Sequence, residues 1–229
     1  MKNPDGSANY NLDTMTFESW ISFAFDHPTK SNPKEKSWHH LVEWSFEYNN
    51  PLNQLKNCIR LFKNMPEIEK DYSWPQVDEG LWFLLWDIAE YLVFDETLPL
   101  NDRKDLIESM GELYKNTFIH KPFTTSAFMW WDVICYSYFR RREGLINKDE
   151  EAIGEIIFPT LKNILKIDSI KCQVAALHGL GHLRHKETES VIREYLKEHT
   201  SLSKKIIDYA EGCINGTMDR MGEPLKDEM

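Results

Sequence analysis

Phe83-Leu84-Leu85-Trp86-Asp87-Ile88 returns about 45 residues later as Phe128-Met129-Trp130-Trp131-Asp132-Val133. Each Trp-Asp pair is followed by a tyrosine four positions past the aspartate (Tyr91, Tyr136) and a phenylalanine seven past it (Phe94, Phe139). Steps of four and seven return a side chain to the same side of a helix, so this is one helix written twice. A helical unit with such a period cannot bury its apolar face alone, and neighbouring units stack into a spiral. The fold expected from this stretch is all-α: a right-handed α-α superhelix of about ten helices with no β-sheet.

Working outward, proline and glycine divide the remainder into helical segments. Thr14 to Asp26 reads as a first helix, capped by Asp13 or Thr14 and stopped by Pro28. Glu35 to Tyr48 reads as a second, with Trp38, Leu41, Val42 and Phe46 at helical spacing. A third starts at Pro51 and ends at Pro66, and a loop with Tyr72 and Trp74-Pro75 leads into the apolar helix up to Phe94. Leu106 to Phe118 forms an amphipathic face, Thr124 to Arg142 is the second copy, and four more segments follow between Asp149 and Gly216. No alternating run of β-branched residues indicates a strand. The chain 1–229 is expected to be a single helical-repeat domain. It comprises a flexible stretch 1–13, N-terminal helices 14–65 that continue or cap the spiral, repeats over 75–216, and a frayed tail 221–229.

Composition narrows the function classes. Hydrophobic residues make up 41% and charged residues 28%, which suits a soluble globular chain. The formal net charge of −10 argues against a protein that holds nucleic-acid phosphates, whose affinity comes from lysine and arginine, and favours a neutral or basic partner. The polar N-terminus lacks an apolar signal region, and Leu81 to Phe94 is too short and too charged to span a bilayer. Cys58, Cys135, Cys172 and Cys213 show neither a CxxC pair nor zinc spacing and read as reduced core residues, so a cytoplasmic location is expected.

Asp168-Ser169-Ile170-Lys171, followed by Val174-Ala175-Ala176-Leu177-His178-Gly179-Leu180-Gly181, resembles the second helix of a HEAT-type repeat. Asp208-Tyr209-Ala210-Glu211-Gly212 is a weaker copy. Two glycines inside a helix each cost about 1 kcal/mol against alanine, which implies close packing there. The chain also resembles bacterial HEAT-like proteins that share the Ala-Leu-His-Gly-Leu-Gly-His phrase. That resemblance implies a fold and no particular activity.

In register, one polar position recurs at the centre of successive helices: Glu43, Asp87, Asp132, His178 and Glu211. On a regular helical wheel Asp87 shares a face with Phe83, Glu90, Tyr91 and Phe94, and Asp132 with Phe128, Cys135, Tyr136 and Phe139. Glu43, Asp87, Glu90, Tyr91, Asp132, Tyr136, His178, His182 and Glu211 are therefore the candidate partner-binding residues on a concave acidic and aromatic wall. Such a wall suits a lysine or arginine from a protein or peptide partner. The alternative is that each acid is merely solvated, or pairs with a neighbour such as Arg140 or Arg141. His178, His182 and His185 stand at i, i+4 and i+7, and two histidines at i, i+4 are able to share a metal. The sequence marks no further ligand beyond Asp132 or Glu211, so no metal and no cofactor is assigned.

Two HEAT-like enzyme classes are relevant. Deoxyhypusine hydroxylases use repeated His-Glu dyads, and this chain has no His-Glu dipeptide. Alkylpurine DNA glycosylases resemble it through Trp86-Asp87 and Trp131-Asp132, but they need a basic cleft and this chain has 37 acidic against 27 basic residues. No phosphate-binding glycine loop, GxSxG or HExxH motif is present. The expected function is a non-enzymatic scaffold for a basic protein or peptide, immunity- or antitoxin-like, with no nucleic acid and no membrane as partner. The alternative is an enzyme of the glycosylase type, or a metal-dependent one on the His178/His182 face.

Overall fold

A computed structural model describes residues 8–30, 35–40, 44–142 and 148–225. Most of these residues are helical, and they form two compact units, Met1–Leu106 and Ile107–Met229. Among the described residues no helix is long and apolar enough to cross a membrane.

The first unit departs from the all-helical expectation. Ala8–Asn11 (β1), expected to be flexible, pairs in parallel with Trp44–Glu47 (β2), placing Tyr10 opposite Phe46. The helix expected from Glu35 to Tyr48 is not present. Trp38–His40 is a single 3-10 turn, and Trp44–Glu47 is β2. Trp44-Ser45-Phe46-Glu47 alternates large and polar residues, but four residues are too few for period two to stand out against overlapping helical spacing. The sheet is held by an aromatic core. Phe23 meets Trp38 and Phe83 edge-on at 5.7 and 5.8 Å between ring centroids, and Phe46 meets Phe83 at 5.3 Å.

Local chemistry sets the helix starts. Helix α1 is Phe17–Phe25, and its cap is Thr16, whose side chain accepts from the Ser19 N–H. Asp13 does not cap α1 as the sequence suggested. Its carboxylate accepts from the Asn49 and Asn50 N–H groups at 2.6 and 3.1 Å and from Gln54 Nε2 at 3.1 Å. Gln54 in turn accepts from Trp20 Nε1 at 2.9 Å, so one carboxylate ties both α1 and the loop before α2. Helix α2 (Pro51–Ile68) is capped by Asn50 and runs through Pro66 into its last turn. Helix α3 (Trp74–Leu84) starts at Ser73, whose N–H donates to Gln76 Oε1. It continues through a π-helical turn, Leu85–Ala89, into α4 (Glu90–Phe94).

Helix α5 (Leu100–Asn116) leads into the second unit, which holds α6 (Thr125–Arg142), α7 (Lys148–Leu165), α8 (Ile170–Leu183), α9 (Thr188–Glu198) and α10 (Lys204–Asn215). Helix α8 is its centre: every residue from Cys172 to Gly181 is buried. It packs against α6, α7 and α10. The two glycines account for this closeness. A methyl on Gly179 would stand 2.6 Å from Trp131 Cβ and 2.7 Å from Leu161 Cδ2, and one on Gly181 would stand 2.3 Å from Met218 Sδ. After α10, Gly216 takes φ 69°, and a 3-10 turn, Met218–Arg220, carries Met218 back against α8. Leu225, in the tail expected to fray, is 2% exposed, while residues 226–229 lie outside the described residues. All four cysteines are free and buried, and burial pushes their thiols above the ordinary range.

Candidate functional site

In the first unit the first copy of the repeat contains the π turn. The Glu90 N–H bonds to the Leu85 carbonyl, five residues back rather than four. The extra residue rotates the helix after the turn relative to the helix before it, so the regular wheel fails here. Phe83 is fully buried and Phe94 is 7% exposed, whereas Tyr91, on the same face of a regular wheel, is 62% exposed. Trp86 is 44% exposed, and the edge of its ring packs against Trp82 at 5.9 Å between centroids. Asp87 is half-buried, with a carboxylate oxygen 3.4 Å from Nδ1 of the buried His39. His39 and His40, neighbours on the 3-10 turn, lie 4.2 Å apart between ring centroids. Glu90 is half-buried one turn from Trp86.

In the second unit the second copy lies on α6 and meets α8. His182 Nε2 donates to Asp132 Oδ1 at 2.8 Å and lies 3.4 Å from Asp219 Oδ1. Burial pushes the Asp132 carboxyl up, but the His182 hydrogen bond and the two imidazoles outweigh it, so it sits below the usual carboxylate value. His178, one turn earlier on α8, is 7% exposed. Its Nδ1 is hydrogen-bonded to the Tyr209 hydroxyl of α10, and its Nε2 is buried with no hydrogen-bond partner. Burial above all, with His182 adding, pushes its pKa down to about 4, so the ring is neutral at ordinary pH. Phe128 lies over it at 4.4 Å between centroids. Tyr136 stands edge-on to His182 and is 50% exposed.

In the second unit the structure joins Asp132, His178, His182 and Tyr136 of the candidate residues; in the first unit Asp87 lies in the π turn, and Glu90 and Tyr91 open α4. Glu211 does not join them. It pairs with Arg193 of α9 at 3.3 Å. His185 also leaves the histidine face: α8 ends at Leu183, Arg184 takes a left-handed φ of 50°, and His185 stacks on Phe158 and contacts Glu155 at 3.3 Å. Glu43 lies outside the described residues, as do the side chains of Phe139, Arg140 and Arg141. The sequence reading missed Tyr209, Asp219 and His39. Asp219 had a signal, three residues past a glycine that ends a helix and turns the chain back.

A cleft of about 640 Å³ between α5 and α7 is lined by Glu108, Glu112, Lys115, Pro159 and Asn163 among others. It contains no histidine, cysteine or aromatic residue, so its chemistry is separate from both copies of the repeat. Set beside family models, curated proteins and solved structures, the chain matches none of them.

Proposed function

We propose that this chain is a non-enzymatic binding protein that engages a basic protein or peptide through its exposed tyrosines and neighbouring carboxylates. One observation carries the reading. Among the described residues the exposed large aromatic side chains are Trp86, Tyr91 and Tyr136, and all three belong to the two copies of the repeat. Aromatic rings left in water beside acids are suited to lysine and arginine, which gain ion pairing and cation–π contact together. The net charge of −10 adds long-range attraction for a basic partner. Asp87 and Glu90 serve the first surface with Trp86 and Tyr91. Tyr136 serves the second, where Asp132 faces inward to His182 and acts indirectly.

The proposed scaffold for the second surface is a HEAT-like superhelix. Its support is the neighbour order within Ile107–Met229: α8 packs between α6 and α10, with hydrogen bonds from α6 to α8 and from α8 to α10. Inner helices stacked side by side have this order. An immunity- or antitoxin-like role, masking a basic protein, fits the same chemistry.

Fluorescence anisotropy of a labelled arginine- and lysine-rich peptide tests the reading. Tyr91→Ser and Tyr136→Ser should each weaken binding about two- to fivefold, the worth of an exposed cation–π contact. Asp87→Asn should weaken it further and reduce its salt dependence. Unchanged affinity in all three variants would mean nonspecific charge attraction and would remove the proposal.

A further inference from the structure

We propose that Asp132, His178 and His182 form a binding site for one divalent first-row transition cation. Among the described residues these three offer ligand atoms that all lie within 4.8 Å of one another. Two imidazoles with one carboxylate suit zinc, cobalt, nickel and ferrous iron better than magnesium or calcium, which prefer oxygen alone.

The geometry fits such a site in three respects. First, the ligands come from the bodies of two packed helices, Asp132 from α6 and both histidines from one turn of α8. His182 Nε2 and Asp132 Oδ1 are 2.8 Å apart, close to the spacing of roughly 3 Å between ligands that bind one ion at about 2.0–2.2 Å. Second, His178 is more than nine-tenths buried, and its Nε2 has no hydrogen-bond partner. A buried polar atom without a partner is the exception in proteins, and an ion would supply the missing partner. Third, the other nitrogen of that ring is already engaged. Nδ1 is hydrogen-bonded to the Tyr209 hydroxyl, which fixes the ring as outer carboxylates and carbonyls do for metal-binding histidines, and with the ring proton on Nδ1 the Nε2 lone pair is left for the metal.

Asp219 adds a carboxylate 3.4 Å from His182 Nε2, at the edge of the cluster on the chain returning after Gly216. Three protein ligands leave the remaining positions of the ion open to water or to a small ligand, an arrangement associated with sites that act on something rather than only brace the fold. The proposal uses residues other than Tyr91 and Asp87 and stands independently of peptide binding.

The test uses the full chain, freed of metal by a chelator and dialysed, titrated calorimetrically with Zn²⁺ and followed optically with Co²⁺. One equivalent should bind, and Asp132→Asn, His178→Gln and His182→Gln should each weaken binding about 100-fold or more, while His199→Gln leaves it unchanged. Because a variant in a buried cluster risks misfolding, a second measurement uses the parent chain. In long-range ¹H–¹⁵N spectra of the histidine rings, Zn²⁺ should move the ring nitrogens of His178 and His182 and leave those of His27 and His199 in place. Absence of stoichiometric binding, binding retained in all three variants, or shifts confined to other histidines would overturn the site and leave a hydrogen-bonded packing network.

Discussion

Replacing Gly179 by alanine tests how α6 and α8 are held together. A Cβ at this position would lie 2.6 Å from Trp131 Cβ, and ordinary contact begins at 3.4 Å, so the two atoms must part by about 0.8 Å. Trp131 Cβ is fixed to the backbone of α6 and cannot rotate away. Leu161 Cδ2, 2.7 Å off, is the end of a side chain and is able to. The helices themselves must therefore separate. Overpacking of this kind costs about 1–3 kcal/mol. A clash with an atom fixed to the backbone falls in the upper part of that range, about 2–3 kcal/mol, and alanine returns about 1 kcal/mol through helix propensity, which leaves a net loss of about 1–2 kcal/mol. The same substitution at Gly181 meets Met218 Sδ at 2.3 Å, but a thioether on a flexible chain swings aside, and Cys213 Cβ at 3.1 Å needs to give only a few tenths of an ångström. Its net effect should stay within about 1 kcal/mol of zero. Urea unfolding followed by helical circular dichroism measures both variants, and in heat a difference of 1 kcal/mol corresponds to about 2–4 °C for a chain of this size. Because Trp131 immediately precedes Asp132, Gly179→Ala should also loosen the Asp132–His182 hydrogen bond and lower Co²⁺ affinity, whereas Gly181→Ala should not. A Gly179→Ala protein as stable as the parent, or a Gly181→Ala protein less stable than Gly179→Ala, would refute the packing argument.

Asp13→Ala removes the acceptor of two backbone N–H groups and of Gln54, and should cost about 1–3 kcal/mol in urea unfolding; a neutral result would show that water replaces the carboxylate. Tyr209→Phe deprives His178 Nδ1 of its partner in a buried place and should destabilise by a similar amount, about 1–3 kcal/mol, measured the same way. His27 governs part of the acid response. Burial lowers its pKa from 6.5, against the hydrogen bond to the Phe23 carbonyl and the nearby Asp26, with His39 adding to the lowering. The folded chain thus prefers the neutral ring, which also stacks on Trp38 at 3.6 Å between centroids. The contribution is whole above pH 6.5 and is lost as pH falls through that value toward the lower folded one. His27→Gln should therefore show a shallower loss of stability than the parent between about pH 7 and pH 5, and equal slopes would contradict this assignment.

The helices are readable where apolar spacing is long and caps are local. Helix α6 keeps the bounds that Thr124 and Arg142 suggest to within one residue, and α10 ends one residue before Gly216. The paired glycines of α8 correctly signal close packing, because their cost in a helix has few other reasons. The first unit is harder. Its strands hold four residues each, and their partner lies 36 positions away (Ala8 to Trp44), so no local pattern reveals them. The π turn around Asp87 depends on how the helix packs and has no residue signature, which is why a regular wheel puts Phe83 and Tyr91 on one face while they lie on two. The Asp132–His182 pair is half legible. The i, i+4 histidines and the aspartate stand out in the sequence, but the register between α6 and α8 fixes which histidine meets the acid, and single-sequence spacing does not contain that register. Asp13 shows the same limit. Its capping role is real but serves the loop before α2, 36 residues on at Asn49, and not the helix beside it.

The central claim is that Tyr91 and Tyr136 are recognition residues rather than incidental surface. Selective ¹³C labelling of tyrosine rings, with the buried Tyr114 and Tyr209 as internal references, tests it during titration with an arginine-rich peptide. Saturable shifts at Tyr91 and Tyr136, with Tyr114 and Tyr209 unmoved, are the predicted result. Saturation of the peptide with Tyr91 and Tyr136 unmoved would contradict it.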